Sequence, residues 1–323
     1  MSARPPAAPL PTGNGKRRGF ALVVVLWMLI ILSTTALTLS TELRVETRAA
    51  VNAQELARAG ALADAGVYRG IAALLDTSLN PDERWTPDGR VYEETFDDQV
   101  LKISLQDENG KIDLNAADPL LLRQLLLARD MESQAADRLV DHILDWKDED
   151  DLRRLNGGEA PDYEAEGLAV LPANRPFLAV DELRTVAGMT EPLFRALAPA
   201  LTVYSGKPGV NPQTAPRLAL MSLPGADPAE VDAILQARSA SADVLGVAVP
   251  TLGGDAVTGE LGPVYTVRCQ VEMPSGLVFA REAVVWVASA AVRPYWILDW
   301  RRGAVATDDD QESSADSSSG KVN

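Results

Sequence analysis

Between Asp141 and Glu166 the chain sets ten carboxylates against only Lys147, Arg153 and Arg154. Acids at that density repel one another, so the stretch either stays solvated or gathers a cation. Gly157-Gly158 and Pro161 interrupt it, which excludes a single solvated helix face. Oxygen-rich, irregular loops suit Ca²⁺, which takes about six to eight oxygen ligands. The EF-hand spacing is absent, because counting from Asp148 puts Leu152 fifth and no Gly next. On residues alone, a solvated acidic loop and a calcium loop both stay open. Other chemistry is poorly supplied. His142 is the only histidine and Cys269 the only cysteine, far apart in the chain, and no Gly-x-Ser-x-Gly elbow occurs. The chain is therefore not expected to be an enzyme. His142 is expected to pack on the helix before Trp146, and Cys269 in a core.

The elements that must carry this stretch begin with a membrane signal. Lys16-Arg17-Arg18-Gly19-Phe20 leads directly into the uncharged apolar run Ala21 to Leu39. A secretory peptide is cut after its apolar region, whereas here the small residue precedes it. The arrangement resembles the leader of type IV prepilins, which is cut after the Gly so that Phe20 becomes the first residue and the apolar helix is retained. A plain signal anchor with a basic flank would share the same charge and span. Loss of residues 1–19 removes Arg4, Lys16, Arg17 and Arg18 and no acid, so the formal charge becomes four units more negative than −16. Such a surface repels nucleic acid.

From Thr41 to Leu75 the pattern predicts a helix continuous with the apolar run, with no Pro between Phe20 and Asn80. Val45, Ala49, Leu56, Ala59, Ala63, Val67, Ile71 and Leu74 form a stripe at three- and four-residue steps. The combined helix would be about 85 Å long at 1.5 Å per residue, ending at Asn80-Pro81. Leu101, Ile103 and Leu105 alternate with polar residues as a strand, followed by a turn at Glu108-Asn109-Gly110. Tyr265 to Val271, Leu277 to Val287 and Tyr295 to Trp300 read as three more strands. Helices are expected at Leu120–Arg129, Ser133–Trp146, Val180–Gly188, Glu191–Leu197, Asn211–Met221 and Pro228–Arg238. A helical domain thus interrupts a small antiparallel sheet.

Two segments inside that domain, Asp181 to Met189 and Leu220 to Asp227, share a helix, a Gly-centred turn and a second helix, and resemble helix-hairpin-helix modules. Asp113-Leu114-Asn115-Ala116-Ala117 resembles the lead-in of DNA-binding examples. The competing function is accordingly a membrane-anchored DNA-binding protein of a DNA-uptake system. Charge opposes it: Asp227, Glu230 and Asp232 surround the second hairpin, and no Lys or Arg lies between Leu218 and Gln236. Backbone-dominated DNA affinity needs phosphate neutralisation.

The leader and long helix combine with Lys111 to Asn115, Asp145-Trp146 and its acidic run, Pro172-Ala173-Asn174-Arg175-Pro176-Phe177, and Glu182-Leu183 before Gly188-Met189. Together these resemble the GspK-type minor pseudopilins of type II secretion systems. The resemblance implies an α+β fold with a type IV pilin-like N-terminal helix and a small antiparallel sheet, interrupted by a large inserted α-helical domain with helix-hairpin-helix-like units. The divisions expected are a cleaved leader at 1–19, the helix at 20–80, sheet parts at 81–115 and 250–303 around an insert at 116–249, and a disordered acidic tail at 304–323. It also implies a single-pass protein of a Gram-negative inner membrane with a periplasmic head. Prepilin peptidase would cut between Gly19 and Phe20, with N-methylation of Phe20, and the partners would be I-, J- and H-type minor pseudopilins at the pseudopilus tip. No nucleic acid partner is expected. Val24, fifth from the new terminus, stands where ordinary pilins carry a Glu that pairs with a neighbour's amine, as suits a subunit with no neighbour above it. Members of the family carry calcium in the insert, which by resemblance assigns Asp148, Asp150, Asp151, Glu159 and Asp162 as ligands.

Overall fold

A computed structural model of the chain describes residues 18–76, 78, 80, 83–240, 256–257, 261–288 and 293–304. The expected leader up to residue 17 and the tail from 305 lie outside these. The chain divides after Ala57 into two units.

Helix α1, Arg18–Leu75, contains the whole of the first unit's described residues. Its segment Phe20–Thr38 has a mean hydropathy of 2.5 and is not buried, so it is long and apolar enough to cross a bilayer. Ala49 and Leu56, expected on the packed stripe, are exposed. In the second unit the stripe is covered: Ala59, Leu62, Ala63, Val67 and Ile71 are buried. Each large aliphatic side chain among them contributes roughly 1.5–3 kcal/mol on burial. A Cβ at Gly66 would overlap the Cys269 sulfur, so glycine lets α1 lie directly on the sheet. The helix stops at Leu75, short of Asn80-Pro81, and the Asp76 carboxylate then accepts the Ser78 amide at 2.9 Å. That local bond offers the backbone an alternative to another helical turn.

The sheet is antiparallel throughout, in the order β1-β2-β5-β6-β7, formed by β1 (Asp88–Phe96), β2 (Gln99–Asp107), β5 (Val264–Glu272), β6 (Val278–Val287) and β7 (Tyr295–Arg302). Leu101, Ile103, Leu105, Val267, Cys269 and Val271 meet α1 in one core. Strand β1 was not expected from sequence. It is an edge strand with few buried side chains, so period two carries no apolar signal there.

Strand β2 pairs directly with β5, although the chain makes a long helical excursion between them. That excursion contains α2 (Pro119–Leu127), α3 (Ser133–Lys147), α4 (Ala160–Ala165), α5 (Glu191–Leu197), α6 (Arg217–Met221) and α7 (Pro228–Ala240) around a second core. A two-residue parallel pair, β3 (Ile112–Asp113) with β4 (Leu201–Thr202), ties its start to its middle. Three expectations change. Val180–Thr185 forms a 3-10 helix. Asn211 to Met221 becomes helical only from Arg217, because Pro212 and Pro216 disfavour helix in the residues before them. The acidic stretch contains α4, which sequence reading had left unassigned.

Where the chain leaves β2, the turn expected at Glu108-Asn109-Gly110 forms as a buried 3-10 turn. The Asp107 carboxylate accepts the amides of Asn109 (3.0 Å) and Gly262 (3.1 Å). Glu108 accepts Lys111 Nζ at 2.7 Å, Thr266 Oγ1 at 2.6 Å and the Thr202 hydroxyl. Burial pushes the Asp107 carboxyl up to about 6, against the hydrogen bonds from Asn109 and Gly262.

Candidate metal centre

Helix α3 buries Ala136, Leu139, Val140, Ile143 and Trp146, and the same packing buries Asp145 completely. Trp146 stacks on Phe177 with ring centroids 6.1 Å apart. The Phe177 segment is held by Asn115, whose side chain bonds the Phe177 amide (2.8 Å) and carbonyl (2.9 Å). Just before it, Asn174 adopts φ 47° and donates its amide to the Trp146 carbonyl, bringing its side chain to the end of α3. Opposite, Gly157 passes so close to Asp145 that a Cβ would overlap the carboxylate. Glu159 then enters at the start of α4.

This arrangement leaves oxygens without donors. Glu159 is 4% exposed, and neither of its carboxylate oxygens has a hydrogen-bond partner. Asp148 Oδ1 and Asn174 Oδ1 are also buried and unpartnered. Burial, followed by repulsion from Asp145, Asp148, Asp151 and Asp150, pushes the Glu159 carboxyl up to about 7. An uncompensated buried acceptor costs about 1–3 kcal/mol, and more when charged. The unpartnered groups are hard oxygen donors, the type that Ca²⁺ takes. They therefore fit the cation that the sequence resemblance implies.

Four of the five acids assigned from sequence surround or form this cluster, but their side chains are in different states. Asp148 Oδ2 accepts Arg154 Nη1 at 2.6 Å. Asp150 caps the Leu152 amide at 2.8 Å, and Asp151 accepts Asn174 Nδ2 at 3.0 Å. Asp162 is directed elsewhere: one oxygen binds Arg153 Nη1 and the other the Glu159 amide, each at 3.0 Å. Among the described residues no three His, Cys, Asp or Glu side chains are gathered so as to hold a metal ion as they stand. Asp145 and Asn174 were not assigned from sequence. The only signal for them was their place in Asp145-Trp146 and Ala173-Asn174-Arg175-Pro176.

Among the described residues the candidate nucleophile and base lie apart. Cys269 lies in the core between α1 and the sheet, where burial pushes its thiol up to about 12. His142 lies edge-on to Tyr163 in the helical domain, with its pKa lowered by burial. The hairpins have the expected Gly-centred turns, with Gly188 and Gly225 at φ 84° and 79°. At the second, Asp227 accepts the Ala229 amide at 2.9 Å, so the chain's own carboxylate fills a donor that phosphate binding would require. On α1, Gly19 and Phe20 lie in the first turn, Phe20 is 76% exposed, and Val24 leaves the fifth place uncharged.

Residues 102–206 match the family model of type II secretion system protein K. A type II secretion system protein K from Klebsiella pneumoniae is 29% identical over 256 residues, which is 71% of this chain and 77% of that protein. The Aeromonas hydrophila protein K is 40% identical over 78 residues, 24% of each chain. Among solved structures, the fold is similar to a chain of the GspK-GspI-GspJ complex from the enterotoxigenic Escherichia coli type 2 secretion system. The TM-score is 0.57 at 17% identity, covering 80% of this chain and all of the other.

Proposed function

We propose that the chain is a K-type minor pseudopilin, like the type II secretion system protein K relatives it matches, and that it caps the tip of the secretion pseudopilus. The observation that carries this is the helical domain inserted between adjacent strands β2 and β5. A subunit repeated along a filament would have to accommodate that mass at every step, whereas a terminal subunit accommodates it once. Val24 supports the same reading, since a tip subunit has no amine above it for a carboxylate to meet. In this role Phe20–Thr38 anchors the chain once in the inner membrane with the head in the periplasm. Prepilin peptidase cuts after Gly19, Phe20 is N-methylated, and the head gathers I-, J- and H-type pseudopilins to start the filament that exports folded proteins. The role is that of an assembly subunit rather than a catalyst.

Calcium belongs to the same proposal. Asp145, Asp148, Asp151, Glu159 and the Asn174 carbonyl would hold it, and the ion would neutralise the acids that raise the Glu159 pKa. Asp150 and Asp162 have the weaker claim to ligand roles, because each already serves a backbone amide.

The test is co-expression of the full chain with prepilin peptidase and I-, J- and H-type pseudopilins. The purified product should begin at Phe20 and retain I and J partners while ignoring duplex DNA at moderate salt. A chain still starting at Met1, or salt-sensitive DNA binding without pseudopilin capture, would overturn the proposal in favour of an anchored DNA-binding protein.

A further inference from the structure

Arg154 is the cation that the carboxylate cluster already contains. A single nitrogen, Nη1, donates to Asp145 Oδ1 at 2.9 Å and to Asp148 Oδ2 at 2.6 Å, bridging two acids as a bound ion would. Its backbone amide also points at Asp145, 3.1 Å from Oδ2. Burial works against the guanidinium charge, yet the bonds from Asp148 and Asp145 hold its pKa above the ordinary value. The side chain lies at the mouth of the cluster: it is 38% exposed, while the Asp145 side chain beneath it is fully buried. One guanidinium does not satisfy the whole cluster, because Glu159 keeps two unpartnered oxygens and Asp148 and Asn174 one each.

We propose that Arg154 is a built-in competitor for the metal, bridging Asp145 and Asp148 when the site is empty and swinging into solvent when a divalent cation takes those oxygens. The inference rests on the calcium reading above and adds a residue that sets affinity. Two cations cannot share Asp145 Oδ1 and Asp148 Oδ2 without strong repulsion at that range. The partly exposed stem gives the guanidinium an exit that leaves no charge buried. Metal binding thereby exchanges an internal ion pair for a metal site, and the metal-free loop stays folded instead of bursting under its own charge.

The test is calorimetric titration of the full chain in detergent with calcium chloride, for wild type, Arg154→Gln and Arg154→Lys, together with melting temperatures in chelator and in saturating calcium. Arg154→Gln should bind calcium on the order of tenfold more tightly, since the ion no longer displaces a paired charge. Arg154→Lys should fall between it and wild type. In chelator Arg154→Gln should melt below wild type, and in saturating calcium the two should coincide. Equal or weaker calcium binding by a folded Arg154→Gln would overturn the proposal, as would a melting deficit that persists in saturating calcium, because either result makes Arg154 part of the loaded site. Absence of calcium binding by wild type itself would instead remove the underlying metal reading.

Discussion

Two of the places in the head that bury carboxylates are built in opposite ways. At the junction of sheet and insert, Asp107 and Glu108 are filled by the fold's own donors: amides of Asn109 and Gly262, hydroxyls of Thr202 and Thr266, and the Lys111 ammonium. In the acidic loop, Glu159 is nearly as buried and meets other acids instead. The first site is complete without a ligand, so it serves as a rivet between two parts of the head. The second has Arg154 on Asp145 and Asp148 but leaves both Glu159 oxygens without a donor, so burial there is only partly compensated. Neither acid content nor burial separates the two; the supply of donors does.

The largest effect should come from breaking the rivet. Glu108→Ala leaves Lys111 mostly buried without its partner and two hydroxyls without an acceptor, and should cost about 3 kcal/mol or more of stability. Denaturant unfolding would show the loss, and calcium should not restore it. A smaller effect, opposite in sign, is expected at the open site. Calcium at about a hundredfold excess over Kd should stabilise the wild type by about 2.7 kcal/mol. Glu159→Gln should abolish that response while raising metal-free stability by about 1 kcal/mol, because it removes an unpaired buried charge. A metal-free loss like that of Glu108→Ala would erase the distinction between the two sites.

A separate effect is the pH dependence contributed by Asp107, whose burial is only partly offset by its donors. Its folded carboxyl titrates at about 6, above the ordinary 3.8, so the folded state binds the proton more tightly. The stability this contributes is present below about pH 4 and is lost as pH rises through about 6. Thermal melts in the Glu159→Gln background, which removes the other raised carboxyl, should show a decline across that window that is absent when Asp107→Asn is added. Parallel profiles would show that Asp107 stays ionised throughout.

Much of the architecture could be read before any coordinates. The apolar run from Ala21, the buried alternation of Leu101, Ile103 and Leu105, and the helices at Ser133 and Glu191 all follow from periodicity, which is a local property of the chain. Strand β1 could not be read, because an edge strand buries too little to pattern its sequence. The expected helix from Asn211 begins only at Arg217, because Pro212 and Pro216 disfavour helix in the residues before them.

For the candidate site, the sequence marked an acidic region, and the tertiary structure decided which of its oxygens are buried without donors. Ten acids in one stretch were visible as a count, as was the small residue standing before the apolar run at Phe20. That Asp145 joins the cluster, that Asn174 contributes a carbonyl, that Asp162 turns to Arg153 and that Arg154 bridges two carboxylates all depend on segments brought together across α3, α4 and the Phe177 loop. Composition and spacing are carried by the chain itself and survive unfolding. Whether a buried oxygen has a donor is decided only when distant segments meet, because that is when water is removed and a partner is or is not supplied.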